Sequence, residues 1–480
     1  MNRTMRFTTT IRPLISALLA AAVLSGCALA PTYERPATPQ PAAFKELQGW
    51  APAAPADALD RGPWWTLFND PVLDGLVRQV EVSNQNVAAA VAAYSQARAL
   101  VAQQRASLFP TVTLTGSANR NGNGGGNDNN NGRTSNSFRL NIGSSWEPDV
   151  WGRLRAGISA AQANAQASAA DLASARLSAQ GELAADYFSL RSVDAQRALL
   201  ATTIEGYQRV LKITQNRFDV GIVPHSDVYQ AQTQLASAQS DDLTLARQRA
   251  QLEHAIAVLI GKAPADFALA PAQWNVTVPD VPVGVPSTLL ERRPDIAASE
   301  RAVAAANAQI GIVRAAYFPQ IGLTASYGPS ASAIGDLFKA SSMAWALGLS
   351  ATETIFNGGA NRAAVQGADA AREQAVARYR QTVLDAFADV EDQLNATRVL
   401  AQQQELQRQA SEAADKVEEQ VLNRYNAGQV SYSEVVQAQV TALNARRALV
   451  QTQGNRQTTA VALIQSLGGG WHADQLTAQE

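Results

Sequence analysis

Four stretches of the chain alternate apolar with polar residues at period two. In "TVTLTGSAN", Val112, Leu114, Gly116 and Ala118 alternate with Thr111, Thr113, Thr115 and Ser117. In "SFRLNIGSSW", Phe138, Leu140, Ile142 and Trp146 alternate with Ser137, Arg139, Asn141 and Ser145. Ile321, Leu323, Ala325 and Tyr327 repeat the pattern, and Met343, Trp345, Leu347 and Leu349 alternate with small or polar residues. Period two predicts strands with one apolar and one polar face, over about 111–119, 137–146, 320–327 and 343–352. Roughly ten residues is the length that crosses a bilayer when tilted. Phe138, Trp146, Tyr327 and Trp345 lie towards the predicted strand ends, where aromatic girdles sit. Any one such hairpin fits a soluble core better; four with the same face pattern, in an exported chain, favour a barrel.

Between the strands, and after them, the period changes. From Arg153 to Phe218 there is no proline, and only Gly157, Gly181 and Gly206 interrupt; from Asn361 to Tyr425 there is only Gly367. Each run predicts a helix of about 65 residues, close to 100 Å at 1.5 Å per residue. Leu200, Ile204, Tyr207, Leu211, Thr214 and Phe218 follow heptad spacing, as do Val383, Phe387, Val390, Leu394 and Thr397. Such stripes pack against neighbouring helices.

The pattern occurs twice. "NVAAAVAAYSQARALVAQQRASLFP" (Asn86–Pro110) aligns without gaps to "DIAASERAVAAANAQIGIVRAAYFP" (Asp295–Pro319), and "RFDVGIVPHSDV" (Arg217–Val228) recurs as "RYNAGQVSYSEV" (Arg424–Val435) at almost the same offset. A near-constant offset means that a whole unit was duplicated. Each unit reads helix, two strands, long helix, tight turn, helix. Gly221 and Gly428 supply left-handed C-caps and Pro224 stops the helix. Ser226 or Asp227, and Ser431 or Ser433, are expected to cap the returning helices. The chain divides into a signal (1–26), a Pro-rich segment (27–63), a first repeat (64–261), a linker (262–294), a second repeat (295–467) and a tail (468–480).

The N-terminus changes the setting. Arg3, Arg6 and Arg12 precede an apolar run that closes on "LSGC", Leu24–Cys27. This is a secretory signal, and small residues before Cys27 form a lipobox-like site. Cys27 is the only cysteine in the chain, so no intramolecular disulfide forms, and covalent diacylglycerol and palmitate on its thiol and amine are expected. Ala28, in place of aspartate, favours the outer membrane. Without the signal's three arginines, the 39 basic and 41 acidic side chains leave the mature chain mildly acidic. No basic tract points to nucleic acid. His225, His254 and His472 have no metal-ligand spacing, and Met343 is the single mature methionine. Neither an enzyme, a bound cofactor nor a soft-metal relay is expected.

Four strands cannot close, and an open edge in lipid leaves backbone groups unpaired. Eight strands, from a dimer, fill with their own side chains, so a pore needs at least a trimer. The polar loop Arg120–Asn136 suits the outer face; no Lys-Ser/Thr pair follows its glycines, as a phosphate loop requires.

"WWTLFNDPVLDGLV" (Trp64–Val77), "FP" before the first and third strands, "WEPDVWGRLR" (Trp146–Arg155), "RAQLEHAIAVLIGKAP" (Arg249–Pro264), "ERRPDI" (Glu291–Ile296) and "LIQSLGGGW" (Leu463–Trp471) together resemble the outer-membrane factor (TolC-like) family of tripartite efflux pumps, in its NodT-type lipoprotein branch. The resemblance covers nearly the whole mature chain. It implies an α+β membrane protein whose homotrimer builds a 12-stranded outer-membrane barrel continued by a long periplasmic α-helical barrel. The implied function is the exit duct for drugs or other small molecules. An inner-membrane RND or similar pump would supply the energy, and a periplasmic adaptor would dock on the tips. The family's tip pattern falls on Arg217, Gly221 and Ser226, and again on Arg424, Gly428 and Ser433, as docking residues. By position, Asp227, Tyr425 and Glu434 are its gate candidates, with helix capping as the alternative for the two carboxylates. The deeper acidic ring falls on neutral Gln437, so cation plugging is not implied. The competing expectation is a structural coiled-coil envelope lipoprotein, for which four amphipathic strands would have no use.

Overall fold

A computed structural model describes residues 29–39, 41–47, 63–122, 134–272, 274–281 and 292–471. The expected signal and Cys27 lie outside these residues, as do most of the polar loop and of the tail.

The element order is α1 Pro71–Ser83, α2 Gln85–Ala106, β1 Thr111–Gly122, β2 Thr134–Trp146, α3 Arg153–Asp219, α4 His225–Leu259, α5 Pro294–Arg314, β3 Gln320–Ala331, β4 Met343–Thr352, α6 Ala360–Asn426 and α7 Tyr432–Ser466. α3 and α6 each have 67 residues, and α4 and α7 each have 35. Equal lengths are what duplication of a whole unit leaves. No helix among the described residues is long and apolar enough to cross a membrane.

The strands form one antiparallel sheet in the order β1-β2-β3-β4. Its register puts the apolar positions on one face: Leu114 opposite Ile142, Ile142 opposite Tyr327, and Tyr327 opposite Trp345. Trp146, Leu323 and Leu349 form a second such row. Thr113, Gly143 and Ser326 share the other face. Three strands run further than the alternation predicts, because Arg120, Asn121 and Gly122 pair with Asn136, Ser135 and Thr134 through backbone alone. Pro329 and Ser330 likewise remain paired in β3. Phe138 and Tyr327 therefore sit inside their strands rather than at the ends, and Trp146 closes β2.

Two compact units make up the chain. The sheet belongs to the first, with Tyr94–Ala167, Ser299–Tyr379 and the N-terminal residues to Ala37. Its helix–strand corners are clamped by indoles. Trp146 Nε1 donates to Leu108 O at 2.9 Å, and Trp151 Nε1 to Pro319 O at 2.7 Å while stacking on Phe318. Asp149 accepts from the Leu154 and Arg155 N–H groups, closing the start of α3. Those bonds tie the two "FP" corners to "WEPDVWGRLR". The N-terminal segment lies along α5: Ala30 abuts Gly311, Asn307 donates to Pro31 O, and Tyr33 donates to Glu300.

The second unit holds Thr38–Ala93, Ser168–Ala298 and Arg380–Glu480. Trp64, Trp65 and Phe68 are buried, and Phe68 packs on Phe188 at 4.7 Å. One Asp70 oxygen caps α1 through the Val72 and Leu73 N–H groups, and the other accepts from Tyr187 Oη at 2.6 Å. A second knot joins "ERRPDI" to "SLGGGW". Arg293 forks onto Asp295, reaches Asp389 and donates to Ser466 O, while Gly468 (φ 92°) passes against the Arg292 carbonyl. A third ties the linker down, with Arg191 donating to Ala270 O and Arg249 to Leu269 O around buried Asp194.

Candidate functional site

The repeated twelve-residue turns close the far ends of the two helical hairpins, and both lie in the second unit. At the first, Gly221 has φ 75°, a left-handed conformation that costs other residues a clash at Cβ. Its N–H donates to Phe218 O, and the Ile222 N–H donates to Arg217 O, both at 2.8 Å. The second turn repeats this with Gly428 (φ 73°), whose N–H donates to Tyr425 O at 3.0 Å, and with Gln429, which donates to Arg424 O at 2.9 Å. Both are Schellman ends. The two arginines thus use their carbonyls to close the helix and leave their side chains free to act elsewhere.

The restarts differ. Pro224, at φ −72° and ψ 157°, is the N-cap of α4, and no side chain bonds the exposed N–H groups there. The expected capping by Ser226 or Asp227 is therefore corrected. Helix begins already at His225, because extended Pro224 starts it one residue early, and both side chains fall inside the first turn. Asp227 still favours the positive end of the helix dipole there. Ser431 does occupy the N-cap of α7, and Glu434 reaches back to its N–H at 3.4 Å. Ser433 pairs with the Ser431 hydroxyl at 2.8 Å.

Of the ten residues singled out by sequence, two from different tips meet directly. The Arg217 guanidinium lies 4.9 Å from the Tyr425 ring centroid. Tyr425 is buried in a cluster with Tyr432, Ala231 and Val435. The Tyr425 and Tyr432 rings lie 5.5 Å apart. Burial raises the Tyr432 phenol well above its ordinary range, and the nearby Tyr425, Tyr207 and Asp227 add to the rise. No hydrogen bond joins Asp227 or Glu434 to the other tip among the described residues. Arg424 is exposed. At the first tip His225 lies between Phe218 and Tyr229, with centroids at 4.5 and 4.2 Å, and Val220 and Ile222 project into solvent. Tyr432 was not anticipated as a site residue. Its only sequence signal is a large aromatic between two serines, in register with Val435 on the buried face.

The chain matches the family model described as "Outer membrane efflux protein" over residues 76–262 and 285–469. It is 31% identical to the probable efflux pump outer membrane protein TtgC of Pseudomonas putida over 467 residues, 96% of each protein. Among solved structures it superposes on the outer-membrane channel OprN with a TM-score of 0.86 at 29% identity, covering 93% of this chain and 100% of that one. It also superposes on the open state of the MtrE outer membrane channel of Neisseria gonorrhoeae with a TM-score of 0.82 at 28% identity, covering 92% and 98%. The mostly helical architecture with one four-stranded sheet is the fold of TolC-like outer-membrane channels. On sequence, fold and sheet register together, the chain belongs to the outer membrane efflux protein family and is the outer-membrane channel component of an efflux pump.

Proposed function

We propose that three copies of this chain form a single exit duct, a 12-stranded barrel in the outer membrane continued by a barrel of long helices in the periplasm. The observation that carries this reading is the sheet: one continuous apolar face and two edge strands, β1 and β4, whose outer backbone groups need partners that lipid cannot give. Pairing β1 of one copy with β4 of the next closes the ring. The duct conducts passively, and an inner-membrane pump of RND or similar type supplies the energy through a periplasmic adaptor. The adaptor docks at the tips, on Arg217, Gly221, Ser226, Arg424, Gly428 and Ser433, where exposed Val220 and Ile222 offer apolar contact. Asp227, Tyr425 and Glu434 hold the resting aperture.

Lipid on Cys27 completes the assignment. Ala30 is seated against Gly311, close to the end of α5 that leads into β3. Anchoring at Cys27 rests on the lipobox-like sequence Leu24–Cys27. The decisive experiment is single-channel conductance of the purified protein in planar bilayers together with its mass in detergent. A trimer with one defined conductance is expected; a monodisperse monomer with native strand content would sink the shared barrel. For the anchor, mass spectrometry of the mature N-terminal peptide should show three acyl chains, and Cys27→Ser should abolish palmitate labelling; an unmodified wild-type peptide would remove the lipid.

A further inference from the structure

Both repeats turn from strand into long helix in the same way, but only one of the two corners is covered. After β2, Trp151 stacks on Phe318 with ring centroids 4.9 Å apart and donates to Pro319 O at 2.7 Å. Gly152 (φ 76°) then turns the chain into α3. The corner that follows β2 is thereby locked to the corner that precedes β3, the neighbouring strand. In the second repeat "ETIF" leads from β4 towards left-handed Gly358 (φ 63°), as "EPDVW" leads from β2 to Gly152. Ile355 and Phe356 hold the places of Val150 and Trp151. Yet they are 87% and 88% exposed. Residues 353–360 are all exposed, whereas 147–154 are half-buried or buried.

The partner that this bare corner lacks also has a counterpart in the chain. The gapless alignment of the repeats sets Phe109 and Pro110 against Phe318 and Pro319. Phe109, just before β1, is 69% exposed, and Pro110 is exposed beside it, while Phe318 and Pro319 are half-buried. Within one chain the two bare corners stand at opposite edges of the sheet, since β1 and β4 are its outer strands, roughly 14 Å apart at three strand spacings. They flank the same two edges that successive copies would join, β4 of one to β1 of the next. Large apolar side chains grouped in the open mark an interaction surface, and a head-to-tail contact of this kind closes a ring.

We propose that Phe356 of each copy packs on Phe109 and Pro110 of the next copy, repeating between chains the lock that Trp151 makes within one. The proposal rests on the ring of three copies proposed above and names the side chains that hold each joint at the helical end of the sheet. Phenylalanine has no N–H to offer the Pro110 carbonyl, so this joint is one of ring packing alone.

Phe109→Cys and Phe356→Cys would be combined in the full chain and treated with a short bismaleimide in outer-membrane vesicles. Denaturing gels should show covalent dimers and trimers for the pair and neither for the single variants, which control for Cys27. In detergent, Phe356→Ser should lower the temperature at which the trimer dissociates by several degrees. Phe109→Ser should do the same, and the double variant should lose no more than the larger single loss, because both changes remove one contact. Mass in detergent separates the two readings. A wild-type monomer would sink the ring itself. A trimer whose paired cysteines link only within one chain or not at all, or whose dissociation temperature Phe356→Ser leaves unmoved, would keep the ring and overturn the joint, leaving Phe356 to face lipid headgroups.

Discussion

Arg217 and Tyr425 come from repeats about two hundred residues apart, yet the guanidinium of one rests 4.9 Å from the ring centroid of the other. The contact joins the end of α3 to the end of α6 within a single chain. A cation over an aromatic face contributes about 0.5–1 kcal/mol at a part-exposed site. Arg217→Ala should lower the melting temperature modestly, and Arg217→Lys should recover part of the loss. A variant as stable as wild type would show that solvent screens the pair.

Tyr425 separates packing from gating. Its hydroxyl is buried without a partner in the isolated chain, so Tyr425→Phe should be neutral or slightly stabilising. As a gate hypothesis, Asp227→Ala with Tyr425→Phe should raise resting conductance and admit vancomycin-sized solutes, while efflux survives. Unchanged conductance with the trimer intact would return Asp227 to a first-turn dipole role and Glu434 to capping Ser431.

Three glycines of the second unit should respond differently to alanine. A Cβ at Gly468 would strike the Arg292 carbonyl oxygen, and φ 92° is itself strained for an L-residue. Backbone cannot step aside, so Gly468→Ala should cost several kcal/mol or block assembly. At Gly181 the obstacle is the Gln465 side-chain amide, which can rotate away, so the cost should stay near 1 kcal/mol. Gly206→Ala meets open space and should stabilise by up to about 1 kcal/mol. Thermal melts of the three variants check the order; a tolerated Gly468→Ala would contradict the tight approach of the α7 end to Arg292.

Much of this was legible in sequence because the deciding signals are local and periodic. Val112 to Ala118 alternate, and the register then set their partners. Gly221 and Gly428 stand where only a left-handed residue ends a helix. The long runs without proline became the 67-residue helices almost to the residue. The extra length of β1 and β2 was hidden because Arg120 and Asn121 pair through backbone, which leaves no apolar mark. The start of α4 was misplaced because Pro224, with no side-chain acceptor, takes the N-cap ahead of Ser226. Arg217 on Tyr425 depends on how distant helices pack, and no spacing within one helix encodes that.

Arg293 is the next test, because its side chain is only 12% exposed and holds three partners. It donates to Asp295 at 2.7 Å, to Asp389 at 3.2 Å and to Ser466 O at 3.2 Å. Removing one member of a buried pair costs about 3–5 kcal/mol, and half-exposed Asp389 places the expected loss for Arg293→Met near the lower end. Arg293→Lys should rescue little, since an ammonium cannot fork onto Asp295 and still reach the other two. A lysine variant with wild-type stability would show that charge alone is required.

The last prediction concerns pH. Asp186 sits half-buried on α3, with Glu182 one turn earlier; burial first, and the Glu182 charge second, push its pKa up to about 6. A folded-state value above the unfolded one means that the native chain holds the extra proton between about pH 4 and pH 6. Stability therefore falls as pH rises through that window and does not recover above it. A shift of that size corresponds to at most about 3 kcal/mol, and partial solvent access reduces it to about 1 kcal/mol. Asp186→Asn keeps the shape and removes the titration. The variant should melt above wild type at pH 8, with the gap closing near pH 4. A gap independent of pH would mean that Asp186 acts through packing. A variant less stable at pH 8 would mean that the assembled trimer supplies the carboxylate with a cationic partner from the neighbouring copy.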